Sequence, residues 1–133
     1  MIVADTNLIA YLFIQGDRTT QAELVLKGDA EWTSPYLWRS EFRNVLAFYI
    51  RKGLLSLANS QLIIKQAEML MLGREYEVSS DKVLNLVASS SLSAYDCEYV
   101  ALAQDLGVPL VTSDKKLLRA FPATAVAIEA FAP

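Results

Sequence analysis

The chain has 133 residues, 53% hydrophobic and 20% charged, so it is long enough for one domain with a substantial core and too apolar for a disordered chain. It has no histidine and a single cysteine, Cys97, which excludes Ser-His-Asp and Cys-His nucleophilic sites, argues against a zinc site and leaves no intrachain disulfide. The net charge of −3 lacks the basic balance of a duplex-DNA binder. Any chemistry must therefore use carboxylates, Lys, Tyr or an oxygen-bound metal.

Nothing in the sequence predicts a membrane segment or a secretion signal. No apolar stretch reaches transmembrane length without a charge, and the N-terminus has no basic segment followed by a long apolar core. Together with the single cysteine, this favours a cytoplasmic protein without membrane association.

The first predicted element is a short buried strand over residues 2–4. Asp5 follows it at the position of a helix N-cap, before an apolar helical run over 8–13. Thr19 or Thr20 is expected to cap a second helix.

The middle of the chain is dominated by a predicted helical hairpin. A short strand over 31–34 comes first, and Ser34 is then expected to cap the longest helix, with Pro35 in its first turn. Gly53 ends that helix, and a further helix is predicted over 54–73. The residues expected on its core face are Leu62, Ile63, Ala67, Leu70 and Met71.

The last part of the chain alternates between strands and helices. A weakly strand-like link over 75–78 leads to a helix capped by Ser79 or Ser80, and Ser93 caps another helix that ends at Gly107. The remaining predicted elements are a strand over 109–112, a short helix that begins at Asp114, and a strand over 123–128.

Strands separated by helical segments predict an α/β fold. We expect a single domain over residues 1–133, with a mainly parallel central sheet of about four to five short strands and helices on both faces in a three-layer α/β/α arrangement.

Acidic residues follow two of the predicted strands. Asp5 and Asp114 each come directly at or after a strand end, and ligands of open α/β sheets bind outside the carboxyl ends of the strands. Asp96 lies at the start of another predicted helix. Each of these aspartates has an ordinary alternative role, because a carboxylate at a helix N-terminus caps free N–H groups and complements the helix dipole.

Glu41 is the acid that capping does not explain. It lies inside the longest helix at the margin of its apolar stripe, between Val45 and Phe48 on the helical wheel, and no Lys or Arg follows four residues later. A carboxylate against an apolar face is costly unless it is paired or metal-bound. The alternative is that Glu41 extends to solvent along the stripe edge.

Taken together, acids from four separate segments, with no His or Cys among them, favour Mg²⁺ or Mn²⁺ over zinc or copper. Such carboxylate sites perform hydrolysis of phosphodiesters in many nucleases, with two ions about 3.5–4 Å apart when both bind. Without these four of the 15 acidic residues, the remaining 11 nearly balance the 12 basic ones, so the net charge does not argue against a nucleic-acid substrate.

Four segments resemble the PIN-domain ribonucleases, and most closely the VapC toxins of bacterial toxin–antitoxin pairs. The resemblance covers essentially the whole chain, and its segments are Ile2-Val3-Ala4-Asp5-Thr6-Asn7, the lone helical Glu41, Ser93 to Ala103, and Leu110 to Leu117.

The resemblance implies an endoribonuclease that depends on one or two Mg²⁺ or Mn²⁺ ions. The side chains implied to hold the metal and the attacking water are Asp5, Glu41, Asp96 and Asp114. Proteins of this kind cut RNA, form homodimers and are inhibited by a small antitoxin whose tail enters the active-site groove.

Other polar residues receive supporting roles. The resemblance implies that Asn7, Thr112 and Ser113 orient the acids. Lys115 and Lys116 follow Asp114 and are the basic residues best placed to meet an RNA phosphate, with a solvated surface charge as the alternative for each.

Other readings of clustered acids are less consistent with the chain. A response-regulator domain needs an acceptor aspartate after a middle strand, and a haloacid-dehalogenase phosphatase needs aspartate at position 7, which is Asn. Two alternatives stay open: a PIN-like scaffold that only binds a partner, and a metal-dependent nuclease outside a toxin–antitoxin pair.

Overall fold

In the computed structural model, which describes residues 1–132, five parallel strands form one sheet in the order β3-β2-β1-β4-β5. The strands are β1 Ile2–Ala4, β2 Trp32–Pro35, β3 Glu75–Tyr76, β4 Leu110–Thr112 and β5 Ala125–Ala127. The predicted α/β class, with a mainly parallel sheet of about four to five strands, is confirmed.

Eight helices flank the sheet within residues 1–132. They are α1 Thr6–Phe13, α2 Thr19–Gly28, α3 Leu37–Arg51, α4 Leu57–Leu70, α5 Ser80–Ala88, α6 Ala94–Leu106, α7 Lys115–Ala120 and α8 Ile128–Phe131. None of these helices is long and apolar enough to cross a membrane.

The central strand β1 pairs with β2 on one side and with β4 on the other, through Val3 opposite Thr33 and Leu110. All three β1 residues are buried, as expected for a parallel strand covered on both faces. The largest fully buried side chains around the sheet include Trp32 and Trp38. The order of the strands places the ends of β1 and β4 side by side.

The predicted start of the longest helix is wrong. Ser34 and Pro35 belong to β2, where Ser34 lies opposite Glu75 and its hydroxyl donates to the Ala4 carbonyl over 2.6 Å. Because this hydroxyl is used inside the sheet, it cannot cap a helix. Helix α3 therefore begins later, at Leu37.

Two further boundaries differ from the prediction. Neither threonine caps α2, because the Thr19 hydroxyl accepts from the Gly16 N–H over 3.0 Å and donates to the Ile14 carbonyl. Helix α4 is shorter than predicted, because it begins only after its N-cap, Ser56, and ends at Leu70. Leu62, which was expected in the core, is exposed.

The helix that carries the third predicted acid was predicted correctly. The Ser93 hydroxyl accepts from the Asp96 N–H over 3.1 Å, and Gly107 ends α6 in the left-handed conformation with φ of 66°. Helix α8, which follows β5, was not predicted.

Candidate active site

Asp5 is held at the carboxyl end of the central strand by two hydrogen bonds. Its Oδ1 accepts from the Thr6 N–H over 2.8 Å, and its Oδ2 accepts from the Thr112 hydroxyl over 2.5 Å. The residue is only 7% exposed. Burial, helped by the nearby charges of Glu41 and Asp114, raises the pKa of Asp5 to about 6 in spite of these hydrogen bonds.

Thr112 connects the two acids that follow neighbouring strands. The same Thr112 oxygen that donates to Asp5 accepts from the Asp114 N–H over 2.9 Å. Asp114 caps α7, with its Oδ1 accepting from the Lys116 N–H over 2.8 Å. Thr112 is fully buried, so one fixed hydroxyl connects the Asp5 carboxylate to the backbone of Asp114.

Glu41 points from α3 toward the end of β1 and meets two hydroxyl groups. Its Oε1 accepts from the Thr6 hydroxyl over 2.9 Å and from the Tyr99 hydroxyl over 2.6 Å, and these two hydroxyls lie 2.6 Å apart. Burial and the Glu41 charge raise the pKa of Tyr99, so its phenol stays protonated and donates. Among the described residues every hydrogen bond to Glu41 ends on Oε1, which leaves Oε2 available to a ligand.

Asp96 occupies the first turn of α6 and completes the set of four acids. Burial, and after it the charge of Asp114, raises the pKa of Asp96, while Lys116 opposes that rise. The pKa of Glu98, two residues further on, is also raised, by burial and by the charge of Glu41.

The acids that affect one another's pKa lie along the carboxyl edge of the sheet. We call this set the row of acids, and it consists of Asp96, Asp114, Asp5, Glu41 and Glu98. The charge of Asp114 raises the pKa of Asp96 and of Asp5, and the charge of Glu41 raises the pKa of Asp5 and of Glu98. Within residues 1–132, however, no three acidic or cysteine side chains come close enough together to ligate one ion. The structure thus brings the predicted acids to one region and keeps them short of chelating distance.

The other polar residues named from the sequence occupy different positions. Asn7 is exposed on the first turn of α1, and no hydrogen bond in the described part of the chain joins its side chain to an acid. Ser113 lies 3.1 Å from the Tyr11 hydroxyl rather than against a carboxylate. Lys115 and Lys116 are both exposed at the start of α7.

Two contributors to the site, Thr6 and Tyr99, were not predicted from the sequence. Tyr99 lies on the buried side of α6, at 1% exposure. The hydroxyl of Tyr99 could have indicated this role from the sequence, because a tyrosine O–H in a buried position needs a hydrogen-bond partner. Thr6 offered a weaker signal, since it directly follows Asp5 in a helix start.

The family model described as PIN domain matches residues 2–121. Ribonuclease VapC3 of Pyrobaculum aerophilum is 30% identical over 126 residues, which cover 92% of this chain and 95% of that protein.

Solved structures share the fold at low sequence identity. The crystal structure of PAE2754 from Pyrobaculum aerophilum has a TM-score of 0.77 and 22% identity, with 96% of this chain and 90% of that chain covered. The crystal structure of FitAcB from Neisseria gonorrhoeae has a TM-score of 0.76 and 15% identity, with 97% and 99% covered. The family match spans most of the sequence and agrees with the acids found at the sheet edge: this chain belongs to the PIN-domain family.

Proposed function

We propose that this protein is a metal-dependent endoribonuclease of the VapC toxin kind, which hydrolyses RNA phosphodiester bonds with four carboxylates and one or two Mg²⁺ or Mn²⁺ ions. The observation that carries the proposal is the buried Asp5, whose pKa is raised to about 6 by burial and by neighbouring acids at the carboxyl edge of the sheet. A buried carboxylate beside other acids is costly to folding in its charged form unless a cation is bound there. The name of the Pyrobaculum relative, a ribonuclease, supports RNA as the substrate.

The donor set fits a hard divalent cation, because it consists of carboxylate oxygens alone. Asp5, Glu41, Asp96 and Asp114 would hold the ion, and for that their carboxylates would have to come closer together than they lie in the described part of the chain. When bound, the metal supplies positive charge that stabilises the phosphate during attack and eases deprotonation of the attacking water.

The chain's own hydroxyl groups would keep the carboxylates oriented. Thr112 fixes Asp5 Oδ2 and the backbone of Asp114, while Thr6 and Tyr99 fix Glu41 Oε1. Groups that hold metal-binding side chains in place commonly affect metal affinity or activity strongly when removed. In the absence of histidine, a carboxylate is the available acceptor for the proton of the attacking water.

The RNA backbone needs positive charge near the acids. Lys116 lies close enough to Asp96 to lower the pKa of that carboxyl, and Lys115 precedes it on the exposed start of α7. We assign these two lysines to contacts with the phosphate on either side of the scissile bond.

The experiment that tests this function measures cleavage of short labelled RNA by the purified protein in EDTA, Mg²⁺ and Mn²⁺. We expect cleavage only with a divalent metal, and its loss in Asp5→Asn, Glu41→Gln, Asp96→Asn and Asp114→Asn. Because asparagine caps a helix about as well as aspartate, the three Asp→Asn variants should fold normally.

A matched control is Asp81→Asn, which changes an exposed aspartate in the first turn of α5 and should keep full activity. Cleavage that persists in EDTA, or that survives all four substitutions, contradicts the proposal. RNA binding without cleavage by wild type in either metal would instead support the scaffold alternative.

The biological role in a toxin–antitoxin pair, in the cytoplasm, is part of the same proposal. A partner protein has apolar surface to cover, because leucines on and before α4 are strongly exposed, among them Leu54, Leu57 and Leu62. We expect the protein to be a homodimer and to co-purify with the product of a small neighbouring reading frame that inhibits cleavage. If the neighbouring product neither binds nor inhibits, the protein is a nuclease outside such a pair.

A further inference from the structure

A cavity of about 560 Å³ opens at the same edge of the sheet as the acids. This volume falls in the range of about 300–1,000 Å³ that is typical of small-ligand sites. Tyr36, directly after β2, and Tyr76, at the end of β3, contribute aromatic rings to its wall. Val83, on α5, supplies a buried apolar surface. A planar molecule of nucleobase size can therefore enter between aromatic and apolar walls.

The charged side chains that line the cavity are carboxylates. Glu77 and Glu98 both line it, with the Ser80 hydroxyl nearby, and the described lining residues include neither lysine nor arginine. Two carboxylates without a cation repel a phosphate group. They accept hydrogen bonds from N–H groups of a neutral ligand, because an ionised carboxylate is acceptor-only.

The cavity adjoins the candidate active site through two helices. Glu98 lies two residues after Asp96 in α6, and Tyr36 lies five residues before Glu41 at the entry to α3. Strand β2, which leads into Tyr36, is paired with β1, which leads into Asp5. A ligand in the cavity is therefore beside the Glu41 end of the row of acids.

We propose that this cavity is a nucleobase site that receives one base of the RNA next to the scissile phosphate, with guanine preferred. The proposal rests on the ribonuclease function above and names the substrate feature that the enzyme recognises. Unpaired RNA bases are recognised by stacking on aromatic side chains and by hydrogen bonds to their base edges. Guanine offers neighbouring N1–H and N2–H donors that one carboxylate accepts together.

The charge of the cavity favours a base over the other available occupant, a second copy of this chain. A subunit interface tends to exclude charge from its buried core. Here two carboxylates line the cavity without a described cation among the lining residues. Burial against another protein would leave those carboxylates unpaired, whereas base N–H groups satisfy them.

Binding is the first test, because it does not depend on cleavage. The probes are labelled pentaribonucleotides that carry guanosine, inosine, adenosine or an abasic site at each position in turn, titrated by fluorescence anisotropy against Asp5→Asn protein in Mg²⁺. We expect one position at which the abasic site weakens binding about tenfold or more, within the range known for base stacking on an aromatic ring. At that position guanosine should bind better than inosine, which lacks the N2 amino group.

Variants locate the effect in the cavity. In the same background, Tyr36→Ala should abolish the difference between guanosine and the abasic site, and Tyr36→Phe should keep it. Glu98→Gln and Glu77→Gln should reduce the preference for guanosine over adenosine while binding of the abasic probe stays unchanged. Phe48→Ala is the matched control, because Phe48 is exposed to 54% against 52% for Tyr36 and lies at the far end of α3.

Two results would overturn the inference. One is binding that is indifferent to the base at every position. The other is a base preference that survives Tyr36→Ala, and if the oligomeric state by light scattering also changes in that variant, the cavity belongs to a second copy. Failure of the wild type to cleave RNA in both Mg²⁺ and Mn²⁺ contradicts the ribonuclease proposal instead, and the cleavage assay measures it separately from binding.

Discussion

The Tyr99 hydroxyl donates to Glu41 Oε1 over 2.6 Å, joining two residues 58 positions apart in the sequence. The Thr6 hydroxyl contacts both Glu41 Oε1 and the Tyr99 hydroxyl, so that each of the three oxygens is hydrogen-bonded to the other two. This arrangement gives Glu41 a fixed orientation although the residue is neither at a helix end nor in an ion pair. A carboxylate oriented in this way loses less freedom when it binds a ligand.

Removing this hydroxyl should weaken the site without unfolding the protein. We expect Tyr99→Phe to lower kcat about 10–100-fold with little change in KM, because the substitution loosens a carboxylate that we propose to hold the metal and leaves the proposed RNA contacts in place. The midpoint of Mn²⁺ activation should move to higher concentration. Steady-state cleavage assays at several Mn²⁺ concentrations measure both effects.

Tyr95→Phe is the matched control, since Tyr95 is an exposed tyrosine in the same helix. It should leave kcat and the Mn²⁺ midpoint at their wild-type values. An unchanged midpoint in Tyr99→Phe would remove the positioning role from that residue.

Thr6 and Tyr99 should act as a unit. Because both hydroxyls end on the same Glu41 oxygen and on each other, the loss of one disturbs the contact of the other. We expect Thr6→Val and Tyr99→Phe to be clearly less than additive in the logarithm of kcat, and Thr6→Ser to restore activity. Full additivity in this double-mutant cycle would mean that the two hydroxyls work independently.

The buried Asp5 should contribute less to the stability of the metal-free protein at neutral pH than in acid. Its pKa is raised from 3.8 to about 6, so the folded state binds this proton more tightly than the unfolded state. The free energy of unfolding contributed by Asp5 therefore falls as the pH rises from about 4 to 6, by at most about 3 kcal/mol.

Asp5→Asn lacks this titration and should be at least as stable as wild type in EDTA at pH 7.5, with the advantage gone near pH 4. Chemical denaturation at both pH values measures the difference. A variant clearly less stable than wild type at pH 7.5 would show that the hydrogen bonds from Thr6 and Thr112 outweigh the buried charge.

Divalent metal should reverse that penalty. A ligand that binds only the folded state stabilises it, by about 2.7 kcal/mol when its concentration is about 100 times Kd. We expect Mn²⁺ to raise the Tm of wild type by several degrees over EDTA, and to leave the Tm of Asp5→Asn nearly unchanged. Equal shifts in the two proteins would place the metal elsewhere.

A second group of charges should matter for stability alone. Arg39 contacts both oxygens of Glu75, at 2.5 and 2.7 Å, and Trp38 also donates to Glu75, whose side chain is 6% exposed. The hydrogen bonds from Arg39 hold the pKa of Glu75 below its usual 4.5 despite burial. This contribution is therefore complete above about pH 4.5 and disappears as the pH falls through the lowered value.

We expect Glu75→Gln to lower the free energy of unfolding by about 1–2 kcal/mol at pH 7, discounted because the Arg39 side chain is partly exposed. The loss should shrink as the pH falls below 4.5, and RNA cleavage should stay normal. Glu68→Gln, which removes a single contact to Arg39, is the smaller comparison. A cost for Glu75→Gln that does not depend on pH would contradict the assigned role of its charge.

Local patterns predicted most of the helices and strands but misplaced the turn between β2 and α3. Ser34 and Pro35 have the composition of a helix start, yet pairing with β3 and the bond from Ser34 to the Ala4 carbonyl extend the strand through them. Such partners come from distant parts of the chain, so no local window contains them. The start of α4 was misplaced for a similar reason, because an apolar pattern in the sequence does not show which leucines pack against another element.

The sequence by itself determined the class of fold, the family resemblance and the residues that could carry chemistry, because apolar periodicity and the absence of histidine are properties of the chain alone. Only the tertiary structure decided how those residues are held. Burial raises the pKa of Asp5, one Thr112 hydroxyl connects Asp5 with Asp114, and Tyr99 orients Glu41. Desolvation and hydrogen-bond geometry depend on which segments pack together, and they exist only once the strands have paired.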